Sequence, residues 1–242
     1  MQVRITYIHH SCFCLRFSDL LLLFDCPGPD HRGPKAERAL HKEISGSRVL
    51  ALFSHSHTDH FAEDIHDILR PAAEASFLVA DDVADLHENL IPQESLVAEP
   101  GITHVLEDLN LSAYASNDMG VAFFIRKQGA GIYFGGDLAH WEWPGLTRAA
   151  RRAGSIFFQG MLEELKQQKV HVAFSNADPR LDNLTGAPRF VEEVRPDLFV
   201  PLHSFGRTEQ IRVLQDKIPA ESGTRLFLYQ EPGDSLTADI GP

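Results

Sequence analysis

Ser54-His55-Ser56-His57-Thr58-Asp59-His60 is the stretch that most restricts what this chain can become. It follows Val49-Leu50-Ala51-Leu52-Phe53, an apolar run with the length and composition of a short buried strand. Three imidazoles and a carboxylate then fall close together. On extended backbone His55 and His57 point the same way, because strand side chains repeat with period two. A turn after Thr58 swings Asp59 and His60 towards the same space. One loop of this kind can feed two neighbouring metal ions. A solvated His-rich tract, like a purification tag, would sit at a terminus and would not follow a buried strand.

The 242 residues hold 34 acids against 22 Lys and Arg, a net charge of −12. That field repels polyanions, and no basic, aromatic-laced segment offsets it, which argues against a nucleic-acid partner. The longest apolar runs, such as residues 20–24, are too short to span a bilayer, so no membrane partner is expected. Met-Gln-Val-Arg-Ile leads straight into an alternating strand, so no signal peptide is expected and the location reads as cytoplasmic. Cys12, Cys14 and Cys26 are odd in number, which points to reduced, buried thiols. No linker or repeat divides the chain, and one domain over 1–242 is expected.

Taken in order, alternating and apolar runs predict strands around residues 3–7, 13–17 and 20–24, with Ser18-Asp19 as a tight turn. His10 closes the first strand and reads either as site-facing or as a core imidazole bonded to backbone. Residues 26–46 are broken by Pro and Gly, with a short helix over 35–42. An irregular segment of this kind beside a site reads as a lid or pocket wall. Helices are predicted at 63–69 and from a cap at Asp81 or Asp82 to about Leu90, with a strand at 76–80 between them. Strands follow at 95–98, 103–106, 109–115, 121–127 and 131–134. Beyond Asp137 the pattern alternates. A helix ends near Ala153, followed by strand 155–158, helix 161–169 and strand 170–174. Helix 185–194, strand 198–200, helix 208–217 and strand 226–229 complete it. Periodicity alone establishes an α/β class.

The His stretch resembles the signature of the metallo-β-lactamase fold superfamily. Leu21-Leu22-Leu23-Phe24-Asp25, Tyr133-Phe134-Gly135-Gly136-Asp137 and Val200-Pro201-Leu202-His203 resemble that superfamily's other motifs, in the order it requires. Thr6-Tyr7-Ile8-His9-His10-Ser11, the stretch 135–143 and Asp178-Pro179-Arg180-Leu181 are similar to a bacterial branch of metal-dependent hydrolases near the ascorbate-6-phosphate lactonases. The resemblance implies a four-layer αββα sandwich and a binuclear metal site. It assigns His55 and His57 to one ion and Asp59, His60 and His203 to the other, with Asp137 bridging. The usual third-motif His is missing. The window reads Tyr114-Ala115-Ser116-Asn117-Asp118-Met119-Gly120, where Asp118 is either the substitute ligand or a turn residue, with His104 and His140 as outside candidates. The first ion is therefore weak or absent if Asp118 does not ligate.

Imidazole and carboxylate donors suit zinc foremost, and also manganese or iron. The chemistry expected is hydrolysis of a small ester, lactone or phosphoester by a metal-activated hydroxide, with Asp59 orienting the nucleophile or taking its proton. The alternatives are a nucleic-acid phosphodiesterase of the same fold, or a non-hydrolytic metal-binding protein. Trp141 and Trp143 either line the pocket or pack the next helix. Arg180 either clamps a phosphate or carboxylate or ties to Asp178 or Asp182. The partner expected is a small-molecule substrate, and a homo-oligomer is left open.

Overall fold

The computed structural model describes residues 1–241. The chain opens with the meander β1 (Gln2–His9), β2 (Cys12–Arg16) and β3 (Leu21–Phe24). Helix α1 (Pro34–Ile44), β4 (Arg48–Phe53), α2 (Ile65–Leu69), β5 (Glu74–Ala80), α3 (Asp81–Leu86) and β6 (Leu96–Ala98) follow. A second series runs β7 (Thr103–Leu106), β8 (Leu109–Ala115), β9 (Val121–Lys127) and β10 (Ala130–Phe134). Then come α4 (Arg148–Lys166), β11 (Val172–Asn176), α5 (Ala187–Val194), β12 (Leu198–Leu202), α6 (Leu214–Lys217), β13 (Arg225–Leu226) and β14 (Ser235–Asp239).

Two seven-stranded sheets result, ordered β14-β1-β2-β3-β4-β5-β6 and β13-β12-β11-β10-β9-β8-β7. Each is half antiparallel and half parallel, with β3 to β6 and β10 to β13 running parallel. The parallel strands are covered on both faces, which is why Leu21–Phe24 and Val172–Asn176 are buried at every position rather than alternately. The sheets meet through aromatic rings. Phe24 stacks on Phe134 at 4.7 Å between centroids, and Phe13 meets Phe174 edge-on at 5.4 Å. Each such ring contributes on the order of 1.5–3 kcal/mol by leaving water. On the outer face of the second sheet a separate core joins Phe158, Leu162 and Leu165 of α4 to Phe190 and Val191 of α5. Helix α1 packs Ala36, Leu40 and Ile44 against the first sheet. The layers are helix, sheet, sheet, helix.

Several elements differ from the periodicity reading. Residues 155–158 are not a strand; they lie inside α4, a 19-residue helix capped by the Thr147 hydroxyl accepting from Ala150 N–H. The apolar triplet Ile156-Phe157-Phe158 suggests a strand, but only Phe158 is buried, together with Met161, Leu162 and Leu165. Their spacing of three, four and seven is a helical stripe. Neither Asp81 nor Asp82 caps α3 through its side chain; the Asp82 carboxylate instead accepts Ser56 N–H at 2.8 Å. The last predicted strand shrinks to Arg225–Leu226, and β14 pairs with β1. The segment after Asp25 packs against the His loop and walls a cavity there, lined by Gly28, Pro29, His31 and Thr58. Cys26 N–H and Gly28 N–H donate to the carbonyls of His60 and Thr58, and buried Arg32 holds Asp64 by two hydrogen bonds, so it buttresses the His loop. Among the described residues no helix is long and apolar enough to cross a membrane.

Candidate metal centre

The parallel halves of both sheets end at one rim of the sandwich. Asp25 follows β3, residues 54–60 follow β4, Asp137 follows β10, Asp178 follows β11 and His203 follows β12. Loops leaving the carboxyl ends of parallel strands are where α/β sheets place their sites, because adjacent strands deliver side chains to a common cleft on a rigid base. Two antiparallel turns close the ring, with His10 between β1 and β2 and Asp118 between β8 and β9.

Two donor sets form there. His55, His57, Asp118 and Asp137 each present a ligand atom within 4.8 Å of one another, and so do His10, Asp59, His60 and His203. In the first set His55 Nε2 lies 3.0 Å from His57 Nδ1, and His57 Nδ1 lies 3.7 Å from Asp118. Asp137 joins the sets, with Oδ2 3.8 Å from His55 Nε2 and 3.4 Å from His203 Nε2, and Oδ1 3.3 Å from His60 Nε2. Two donors on one tetrahedral ion at about 2.0–2.1 Å stand about 3.3 Å apart, so these separations suit divalent cations held between the side chains. Asp137 Oδ1 is buried and makes no hydrogen bond, an expensive state for a carboxylate oxygen unless a cation meets it. The donor set and that orphaned oxygen fit two metal ions.

Hydrogen bonds behind the imidazoles decide what each presents. His60 Nδ1 donates to Asp25 Oδ2 at 2.7 Å, and His203 Nδ1 donates to Asp178 Oδ2 at 2.9 Å. In its neutral form each ring therefore turns an Nε2 lone pair to the centre, where a cation would take the place of a proton. Ser54 Oγ donates to the same Asp25 Oδ2 at 2.8 Å and stands 3.0 Å from His55 Nδ1. With its own proton committed to Asp25, the hydroxyl accepts from His55 Nδ1–H, and His55 Nε2 is left open as well. One buried carboxylate thus sets the tautomers of an imidazole in each set. His10 is inverted. Its Nδ1 accepts Phe205 N–H at 3.2 Å, so a neutral ring carries its proton on Nε2, 3.4 Å from Asp59. His10 offers a donor to the centre rather than a lone pair.

Charge follows the same division. Burial pushes His10 down to about 3 and His55 down to about 2, so both rings stay neutral. Burial would also lower His60, but the Asp137 and Asp25 carboxylates overcome it and push that ring up to about 9. Burial would raise Asp137, yet His60 and His203 hold it well below the usual carboxylate range. A cluster that draws protons onto its imidazoles in this way has an excess of negative charge to be met by cations.

The backbone is bent to suit. His10, Asp25 and His203 have φ of 53°, 44° and 65°, the left-handed region that costs a non-glycine residue roughly 1–2 kcal/mol. Two glycines leave room for Ser54. A Cβ on Gly120 would stand 2.0 Å from Ser54 O, and one on Gly136 would stand 2.7 Å from Ser54 Cβ.

Of the residues singled out in the sequence, His55, His57, Asp59, His60, Asp118, Asp137 and His203 all converge here. His10 joins them. The outside candidates do not: His140 stacks on Phe158 and His104 Nε2 meets Val97 O. Trp141 lines the rim, with Nε1–H donating to Asp137 O at 3.0 Å and its ring 5.3 Å from His203. Asp178 holds His203, and Asp25 holds His60 directly and His55 through Ser54; both acids stand in motif stretches quoted from the sequence, but the rings they hold were not read there. The acids' signal there was placement directly after a strand.

Comparison with solved structures matches this architecture. Igni18, a metallo hydrolase from the hyperthermophilic archaeon Ignicoccus hospitalis, superposes with a TM-score of 0.68 at 18% identity, covering 99% of both chains. The metallo-β-lactamase fold protein YhfI from Bacillus subtilis gives 0.67 at 12%, covering 98% of this chain and 99% of its own. The chain has the metallo-β-lactamase fold. CmlA, a diiron β-hydroxylase from Streptomyces venezuelae, shares the fold at a TM-score of 0.63 and 14% identity over 98% of this chain, which spans 54% of CmlA. No protein-family model and no curated protein matches the chain.

Proposed function

We propose that this chain is a metal-dependent hydrolase of a small ester, lactone or phosphoester. The observation that carries the reading is the pair of donor sets meeting at Asp137, one of whose buried oxygens has no hydrogen-bond partner. His55, His57 and Asp118 would hold one cation and Asp59, His60 and His203 the other, with Asp137 shared. Such ions, zinc foremost and manganese or iron as alternatives, supply Lewis acidity and bring a coordinated water's pKa near 7.

The chain's own groups do the rest. Asp59 is partly open to solvent, with 21% of its side chain exposed. Burial would raise its pKa, but His10 and His60 hold it well below the usual range. At the edge of the centre, Asp59 would orient a metal-bound water or take its proton. His10 Nε2–H lies 3.4 Å from Asp59 Oδ2 and 3.3 Å from His60 Nε2, a donor beside both. His57 and Asp118 are half-exposed, at 46% and 38%, which makes their side of the centre the open approach for substrate.

The test is hydrolysis of p-nitrophenyl acetate, γ-butyrolactone and bis(p-nitrophenyl) phosphate by protein loaded with zinc, manganese or iron, alongside metal analysis. The reading expects two ions per chain, and loss of activity with chelator and in His57→Ala. Activity that survives both treatments rules it out.

A further inference from the structure

Beside the centre, Arg180 is held side-on by Asp178. Its Nε donates to both oxygens of Asp178 at 2.9 Å, and Nη2 donates to Asp178 Oδ2 at 2.5 Å. This is the side edge of the guanidinium. The end edge, formed by Nη1 and the second Nη2 proton, is not consumed: Nη1 makes no hydrogen bond among the described residues. The group lies 4.5 Å from the Phe205 ring centroid and 5.1 Å from that of Trp143, and 37% of its side chain is exposed. Trp143 stacks on Trp141 at 5.7 Å, and Trp141 and Phe205 both flank His203. Asp178, which pins the guanidinium, also holds His203 Nδ1.

The geometry points to a second element of the binding site, in which the end edge of Arg180, walled by Trp141, Trp143 and Phe205, receives an oxyanion group of the substrate, a carboxylate or a phosphate. A planar fork with a free edge matches two oxyanion oxygens, which a lysine cannot reproduce. The Asp178 bond and the flanking rings freeze the rotamer in advance, so little side-chain entropy is lost on binding. The aromatic faces pack the carbon skeleton that carries the anion. Arg180 is separated from Asp137 by one carboxylate and one imidazole, so an acid group here and a scissile bond at the metals belong to the same small molecule. The exposed Glu142 between the two tryptophans faces His140, 3.7 Å away, and does not occupy the fork. The net charge of −12 repels anions at long range, but screening confines that field to about 8–10 Å. What happens to the bound molecule rests on the hydrolase reading; the binding does not.

The experiment uses the only two tryptophans of the chain, Trp141 and Trp143, as reporters. Metal-loaded protein is titrated with benzoate, with phenyl phosphate and with neutral benzyl alcohol while emission is followed. Benzoate and phenyl phosphate should shift the emission saturably, and benzyl alcohol should not. Arg180→Gln should weaken both anions at least tenfold. Arg180→Lys, which keeps the charge and loses the fork, should fall between. Affinities are compared at equal measured metal content in all three proteins, so the ratio isolates the guanidinium, and circular dichroism establishes that each variant is folded. Equal anion affinity in wild type and Arg180→Gln, or benzyl alcohol binding as tightly as benzoate, overturns the proposal. If only Arg180→Gln fails to fold, Arg180→Lys decides on the same criterion. Arg180-dependent binding without turnover of any ester would leave this subsite standing and remove the hydrolase reading instead.

Discussion

Asp25→Asn changes one oxygen to an amide nitrogen and no volume. The site has φ of 44°, a conformation that Asn tolerates as well as Asp, so no backbone strain is added. The native carboxylate receives three protons: Ser54 N–H on Oδ1 at 2.8 Å, and Ser54 Oγ–H and His60 Nδ1–H on Oδ2 at 2.8 and 2.7 Å. Asn has one acceptor oxygen. If it stays towards Ser54 N–H, the NH2 faces His60 and Ser54 Oγ. His60 must then accept at Nδ1 and carry its proton on Nε2, where it faces Asp137. The Ser54 hydroxyl turns to His55 Nδ1 and forces the same change there. If the amide is reversed, the Ser54 N–H is left unbonded, at about 1–3 kcal/mol. Misplacing one ligand proton through a second-shell change typically weakens metal binding 10- to 100-fold. That is about 1.4–2.8 kcal/mol, and the relay exposes one ligand of each ion to it. Competition against a fluorescent zinc chelator measures the affinities, with circular dichroism as the check on folding. A folded Asn variant that binds both ions within about twofold of wild type would falsify the tautomer relay.

Phe174→Ala removes a fully buried ring packed against Phe13, Phe24 and Phe134, and should cost about 3–5 kcal/mol in urea unfolding; a loss below about 1 kcal/mol would show that the two sheets do not key together there. Gly120→Ala should be more damaging than Gly46→Ala. Both have positive φ, worth about 1–2 kcal/mol, but Gly46 has open space and Gly120 meets Ser54 O, so equal losses of stability would contradict the packing around Ser54. His171 Nδ1 accepts Gly131 N–H, and burial pushes its pKa down. The unfolded chain therefore takes up a proton that the folded chain refuses as pH falls below about 6.5. The stability advantage of wild type over His171→Gln should shrink from pH 7 to pH 5; an advantage that grows would reverse the sign of this argument.

The His stretch, the apolar strands and the placing of Asp137 and His203 at strand ends were legible in the chain, because each depends on spacing between near neighbours. A strand's period and a loop's run of donors are local properties. The α/β class followed from them, and the sandwich from the resemblance to the metallo-β-lactamase fold superfamily. Helix α4 was misread where three apolar residues in a row fit either period, and only the packing of Phe158, Met161, Leu162 and Leu165 on the second sheet selected the helix. Asp118 could not be told from a turn residue, since what separates ligand from turn is the position of β4's loop beside the β8–β9 turn. His10 was ambiguous for the same reason: its role is set by Phe205 N–H, 195 residues away. The chain by itself thus determined which groups are available and which strands carry them. Only the tertiary structure decided which nitrogen of each ring faces the centre and which edge of Arg180 is open, because a proton's place depends on the atom across from it, and sheet order alone brings that atom there.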